Sequence, residues 1–262
     1  MKMLKNKIAN SFSRSSVSYD QYARLQHQSA RDLAWELEQS TDILGPGPIL
    51  EIGCGSGRLS EVLVRTFADH DIELLDIAPG MLEQCQRKLN EAGHSLDRVQ
   101  FRTMDAEKIQ DQGKYSLLVS GLTIQWFDNP AQGLVALMNS LQPGGRFLFS
   151  FLGQGSFAEW QQQCSRLSIP STFNPLPDPE HLQEIIEKSS LTVKSWQHQI
   201  KITYPTVRDF FISLKKTGAT TALGGQRLTA VDLRRLIREW QADCGPEVVM
   251  TYNVNYLTGN KK

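Results

Sequence analysis

Ile49-Leu50-Glu51-Ile52-Gly53-Cys54-Gly55-Ser56-Gly57 is the stretch that decides the fold. Its apolar run is continuous rather than alternating, which suits a short strand buried on both faces. The glycines let the backbone turn tightly and approach a ligand closely. Arg58–Phe67 follows, with Leu59, Val62, Leu63 and Val64 at helical spacing. The N-terminus of such a helix offers free N–H groups and a partial positive charge. The spacing is GxGxG, with Arg58 where the dinucleotide pattern GxGxxG needs its last glycine. No Gly-Lys-Ser/Thr follows, so the P-loop pattern fails as well. Alone, such a turn fits either a bend or a ligand site.

Outward from this motif, strands are expected at Ile72–Ile77, Val99–Met104, Ser116–Ser120 and Phe147–Leu152. Helices are expected at Gly80–Glu91 and Pro130–Leu141, with PGGR at 143–146 as a turn. Upstream, Tyr22–Glu38 reads as one helix whose main apolar residues are Leu25, Leu33, Trp35 and Leu37. Strands alternating with helices predict a parallel sheet covered on both faces. After residue 152 the pattern changes. Phe157–Leu167 and Pro179–Lys188 read as helices, Leu191–Tyr204 as a long alternating strand, and 206–217 and 229–243 as helices. Val248–Leu257 alternates again, with Val248, Met250, Tyr252, Val254 and Tyr256 on one face. The fold class read from this is α/β: a doubly wound, mostly parallel seven-stranded sheet with a helical insertion at 205–245 before the last strand. The chain reads as a single domain, 1–262, with an N-terminal helical lid at 1–40 and a ligand-binding core at 45–152.

Composition narrows the function. The 262 residues carry 28 basic and 28 acidic side chains, leaving no charge excess to neutralise phosphates, so no nucleic-acid partner is expected. The N-terminus MKMLKNKIANSFSRSS is basic without an apolar run, so no secretory leader is expected. No apolar stretch is long enough for a membrane span. Cys54, Cys85, Cys164 and Cys244 form no CxxC pair, and the five histidines form no HxxxH or HExxH spacing. Reduced thiols, a cytoplasmic location and no metal site are expected.

Candidate ligand contacts fall where open α/β sheets bind ligands, at the carboxyl ends of strands. Asp76 ends the second strand, where an acid either caps a helix or accepts from two ribose hydroxyls. Asp105-Ala106 ends the third, where the carboxylate either caps a short helix or accepts from an adenine amine. Ser120-Gly121 ends the fourth.

In this order, with LQPGGRFLFS after them, these residues resemble a class I S-adenosylmethionine-dependent methyltransferase of Rossmann-like fold, strongly over 45–152. The resemblance implies S-adenosylmethionine as cofactor, held by Gly53, Gly55, Gly57, Glu51, Asp76, Ile77, Met81, Asp105, Ala106, Ser120 and Gly121. A narrower resemblance spans nearly the whole chain. FSRSSVSYDQYARLQ at 12–26, TIQWFDNP at 123–130, GSFAEW at 155–160, LKKTGAT at 214–220 and MTYNVNY at 250–256 are similar to motifs of the malonyl-[acyl-carrier protein] O-methyltransferases of biotin synthesis. SGLTIQW departs from the commoner asparagine-containing form, which leaves Gln125 and Trp126 as the better-supported positions.

That family implies Tyr19 and Gln26 on the cofactor and Tyr22, Gln125 and Trp126 on the substrate. The implied reaction methylates the free carboxylate of malonyl-acyl-carrier protein, or of malonyl-coenzyme A. A carboxylate is already ionised at neutral pH, so no catalytic base or triad is expected. The ester removes a charge that an apolar fatty-acid synthase site would reject. Two other readings stay open: a different carboxyl or quinone methyltransferase, and a cofactor-binding interaction module without catalysis. Trp126 and Trp160 also read as core aromatics, and Tyr19 and Tyr22 as a helical packing pair. Carrier proteins are acidic, so a local basic surface is expected. Lys215, Lys216, Arg227, Arg234, Arg235 and Arg238 outnumber the acids Asp209, Asp232, Glu239 and Asp243 around them.

Overall fold

Ile49–Ile52 forms strand β1, buried at all four positions. Its side chains divide between two cores, Ile49 to one face and Leu50 and Ile52 to the other. The computed structural model describes residues 2–39, 44–189, 191–220 and 228–262. Arg227, with the rest of 221–227 in the expected insertion, lies outside these residues, as do Met1 and Ser40 at the ends of the expected lid.

Beside β1 lie β2 (Ile72–Asp76), β3 (Val99–Thr103), β4 (Tyr115–Gly121), β5 (Leu141–Leu152), β6 (Leu191–Tyr204) and β7 (Val248–Lys261). Among the described residues these make a seven-stranded sheet of order β3-β2-β1-β4-β5-β7-β6. The first five strands pair in parallel, and β7 runs antiparallel to both β5 and β6. The order reverses between β1 and β4, which opens a crevice at their carboxyl ends. Central strands read as apolar runs because helices cover both faces, whereas edge strand β6 is buried at Leu191, Ile202 and Tyr204 and exposed or half-buried between them.

The helices are α1 (Lys2–Ser15), α2 (Tyr19–Tyr22), α3 (Arg24–Glu38), α4 (Arg58–Thr66), α5 (Pro79–Glu91), α6 (Pro130–Ser140), α7 (Ala158–Arg166), α8 (Pro179–Glu187), α9 (Val207–Lys216) and α10 (Ala230–Cys244). The last two lie between β6 and β7. Helix α3 docks through Leu25, Ser29, Leu33 and Leu37, each four residues from the next and so on one face. Ser29 sits close enough to the sheet for its hydroxyl to bond that of Ser150, at 2.7 Å.

Three expectations need correction. The helix expected from Tyr22 to Glu38 is broken at Ala23, where ψ is 43°. Trp35 is off the buried stripe and 60% exposed. The PGGR turn lies within β5: Tyr115 pairs with Leu141 and Leu117 with Arg146, so residues 142–145 bulge from the ladder. Helix α1 falls within the 1–40 segment expected to be helical, although no element was placed there from periodicity. Its apolar stripe is narrow, Leu4, Ile8 and Phe12 four residues apart among lysines, asparagines and serines, yet Ile8 is 2% exposed.

Candidate functional site

The glycine loop is pinned from below. The amides of Gly53 and Cys54 both donate to the Leu75 carbonyl, at 2.7 and 3.0 Å. Gly55 N–H donates to Asp76 Oδ2 at 2.9 Å, and Ala78 N–H donates to Asp76 Oδ1 at 2.8 Å. Asp76 thus joins the loop after β1 to the loop after β2, with lone pairs left for a ligand. Burial raises its pKa to about 6, against the lowering effect of those amides. A Cβ on Gly55 would meet nothing within 4 Å, so this edge of the loop faces open space.

That space is a cavity of about 1140 Å³, open mouth included, over the carboxyl ends of β1, β2 and β4. Gly53, Gly55, Asp76 and Gly121 line it. Ile77, Met81, Asp105 and Ala106 line it as well, mixing apolar surface with one carboxylate. Tyr19, Tyr22 and Gln26 close it from the N-terminal segment, and Gln125 and Trp126 from the segment after β4. Asp105 has the capping role and also reaches the cavity. It accepts from Glu107 N–H at 3.3 Å as a cap, and its carboxylate borders the cavity.

Three expected residues do not line this cavity. Ser120 is fully buried and donates to the Ile52 carbonyl at 3.0 Å, so it ties β4 to β1. Gly57 serves packing, because a Cβ there would lie 2.8 Å from Cys85 Sγ, between α4 and α5. Glu51 lines an adjoining recess behind the loop, shared with Tyr19, Gln26 and Gly55. It shares Ile49's face, and Ser60 Oγ donates to it at 2.5 Å. Burial pushes its pKa up to about 8; Ser60 opposes this and the Asp76 charge adds to it.

A folded value above the unfolded one means that the folded protein binds more protons between the two. Glu51 therefore contributes stability below about pH 4.5 that is lost as pH rises through about 8. In urea titrations of the ligand-free protein, Glu51→Gln is expected to gain roughly 3 kcal/mol on the wild type between pH 5 and pH 8. A difference that does not change with pH would mean an ordinary carboxylate.

The N-terminal segment is tied to the glycine loop by charge. Asp20 on α2 accepts from Ser56 Oγ at 2.6 Å in the glycine loop and pairs with Lys88 on α5. Burial opposes its ionisation, but Lys88 and Ser56 outweigh this and hold its carboxyl below the usual range. Burial, then the nearby Asp76 and Asp20 charges, pushes the Tyr19 phenol up. Gln125 is spent on structure: it donates to the Leu122 carbonyl at 2.7 Å, bracing a residue at φ 50°. Trp126 meets Phe12 edge-on at 5.2 Å.

Lys5, Ile8 and Phe12 of α1 also line the cavity, as do Phe157, Tyr204, Leu214, Thr217 and Tyr252 from the second half. Sequence periodicity placed Tyr252 on a buried face and a family motif covers it; Phe12, Phe157, Leu214 and Thr217 also fall in family motifs, whereas Lys5, Ile8 and Tyr204 carried no site signal in the sequence. Trp160 packs in the core, edge-on to Phe211 at 5.3 Å. Among the described residues no group of three His, Cys, Asp or Glu could hold a metal, and no helix is long and apolar enough to cross a membrane.

The comparisons agree with this geometry. A family model described as a methyltransferase domain matches residues 49–145. The malonyl-[acyl-carrier protein] O-methyltransferase 2 of Ilyobacter polytropus is 31% identical over 97% of this chain and 96% of its own length. The corresponding enzyme of Bacillus cytotoxicus is 32% identical over 95% and 89%. The biotin biosynthesis bifunctional protein BioCD of Bordetella avium is 33% identical over 89% of this chain and 48% of that one. Among solved structures, YcgJ of Bacillus subtilis covers 88% of this chain and 99% of its own at a TM-score of 0.63 and 15% identity. The magnesium protoporphyrin IX methyltransferase of Synechocystis, solved with bound SAH, covers 90% and 83% at 0.57 and 12%. These two bear on the fold alone.

Proposed function

The chain belongs to the malonyl-[acyl-carrier protein] O-methyltransferase family, and on that premise we propose that it methylates the free carboxylate of a malonyl thioester on acyl-carrier protein, with S-adenosylmethionine as donor. The observation that carries this reading is one continuous cavity. It runs from Asp76 and the glycine loop, under the lid, to an aromatic pocket beneath α9. The donor fits the first part. Asp76 has acceptor capacity left for a ribose diol, Gly55 leaves room for close approach, and Ile77 and Met81 offer an apolar wall for adenine. Glu51, in its recess beside the loop, suits the donor's ammonium.

Bound there, S-adenosylmethionine supplies an electrophilic methyl: a C–O bond forms as the C–S bond breaks, the electron pair stays on sulfur, and no proton moves. The protein's work is alignment and exclusion of water. Tyr19, Tyr22 and Trp126 close the cavity over the reacting groups. Opposite charges vanish in this reaction, so a dry, weakly polar enclosure favours the transition state over the separated ions.

We read the chain as one unit working in the cytoplasm on a soluble substrate, with 1–40 as lid, 45–152 as core and 205–245 as insertion. The test is a methyl-transfer assay on malonyl-carrier protein, malonyl-coenzyme A and succinyl analogues. Cofactor binding without transfer to any malonyl thioester overturns the reading.

Docking of an acidic carrier is expected at the mouth, where Lys215 and Lys216 end α9 beside the lining residues Leu214 and Thr217. Arg234, Arg235 and Arg238 are exposed on α10, but Arg238 is already paired with Glu239. Lys215→Glu with Lys216→Glu should raise KM for malonyl-carrier protein about tenfold, more so at low salt. Arg234→Glu with Arg238→Glu should raise it less, and malonyl-coenzyme A should respond little to either pair. Equal loss on both substrates would put these residues in the pocket or the fold instead.

A further inference from the structure

The second half of the chain contributes two buried phenols in contact to the cavity lining. Tyr204 of β6 is 7% exposed and Tyr252 of β7 is 3% exposed. Their hydroxyls lie 2.9 Å apart, and neither has another hydrogen-bond partner among the described residues. Two O–H groups that bond only each other carry two protons and spend one. The second is a donor held inside a cavity that both residues line. A buried donor without an acceptor is costly, so the pair is built for something that accepts. The rings are fixed: Phe157 meets Tyr252 edge-on at 5.1 Å, and Phe210 meets Tyr204 at 5.5 Å.

Cations are scarce at this site. Among the described lining residues the cation is Lys5, and it is taken up by Asp105 at 3.5 Å, Glu107 at 2.5 Å and the Trp126 carbonyl at 3.1 Å. Arg24 lies outside the lining, 6.0 Å over the Tyr204 ring, and donates to the Thr203 carbonyl at 2.7 Å. An anion in the cavity therefore meets hydroxyls before it meets a free cation.

Resting on the malonyl thioester reading, we infer that the Tyr204–Tyr252 hydroxyl pair is the anchor for the substrate's carboxylate. One phenol donates to a carboxylate oxygen and the other supports it. The chemistry favours a neutral donor here. The carboxylate loses its charge on methylation, so an ion pair would stabilise the ground state more than the transition state and slow the reaction. A single neutral hydrogen bond orients the oxygen and leaves its nucleophilicity largely intact. It also selects: a thioester without the carboxylate leaves the donor unpaired. Burial, then the neighbouring Tyr204, pushes the Tyr252 phenol up, so it keeps its proton at neutral pH.

Tyr204→Phe, Tyr252→Phe and the double variant keep both rings and remove the hydroxyls. Calorimetric titration with malonyl-coenzyme A, S-adenosylhomocysteine being present to prevent turnover, should show Kd raised about ten- to a hundredfold in the double variant. Acetyl-coenzyme A, which lacks the carboxylate, should bind wild type and double variant alike, and S-adenosylhomocysteine affinity should be unchanged. Three results each overturn the assignment: an unchanged Kd for malonyl-coenzyme A, a wild type that binds it no better than acetyl-coenzyme A, or a parallel loss of S-adenosylhomocysteine binding. Turnover is read separately. A wild type that binds malonyl-coenzyme A through these tyrosines but methylates no malonyl thioester overturns the proposed reaction and not this anchor.

Discussion

Asp76→Ala is expected to weaken S-adenosylmethionine binding about a hundredfold or more and to lower the melting temperature as well. As a strand-end residue, Asp76 reads in the sequence as a ligand contact whose loss the fold survives. The structure makes it more than that. It is 8% exposed and accepts from Gly55 N–H and Ala78 N–H. The alanine variant loses the acceptor for the ligand and leaves two amides without partners, at about 1–3 kcal/mol for each buried one. Asp76→Asn keeps one acceptor oxygen and should fall between.

The pH dependence follows from the raised pKa of about 6. The ionised form is the better acceptor, so wild-type affinity should rise as pH increases through about 6, and the asparagine variant should lose that dependence. Unchanged affinity in the alanine variant, measured by calorimetry, would remove Asp76 from the site. Gly55→Val should abolish binding outright. Its side chain would project into the ligand space, and a β-branched residue is strained at φ 55°.

The part of the fold legible in the sequence is the part built from strands buried on both faces. Ile49–Ile52 and Ile72–Asp76 announce themselves as short, mostly apolar runs, each broken by one glutamate, Glu51 or Glu73, with Asp76 at the end of the second. The site was legible where one backbone feature implies another, as a glycine loop beside a strand-end acid does. It was illegible where a polar side chain is also engaged by backbone. Ser120 and Gln125 stand at the right strand end, yet their side chains are spent on the Ile52 and Leu122 carbonyls, which only the three-dimensional path of the loops determines. The bounds and buried face of helix α1 escaped notice because three apolar residues among polar neighbours carry too little periodicity to declare a face. Its burial depends on partners far along the chain, Gly80 and Gly218, which leave room for its backbone. The pairing of Tyr204 with Tyr252 depends on the register of β6 against β7, in which Ile200 stands opposite Tyr252. No spacing in the sequence reveals that diagonal contact.

Removing residues 1–22 is expected to leave the sheet folded and to cut methyl transfer more than about a hundredfold, since the reacting groups would then stand in water. The cut belongs at 22 rather than deeper, because Ala23 and Leu25 are buried against the body of the protein, at 0% and 7% exposure. The segment removed carries Lys5, Ile8, Phe12, Tyr19 and Tyr22, which together roof the cavity. A full-length variant tests the same idea with less disturbance. Gly80 N–H donates to Ser13 Oγ at 3.2 Å, and a Cβ on Gly80 would lie 2.9 Å from the Ser13 carbonyl oxygen. Gly80→Val therefore has to push α1 off α5, although it substitutes no residue that lines the cavity. Its kcat should fall and its cofactor Kd rise, with a melting temperature close to that of the truncated form. If the truncated protein turns over at the wild-type rate, residues 1–22 are a structural appendage, and the water-excluding role passes to α9 and the segment after β4.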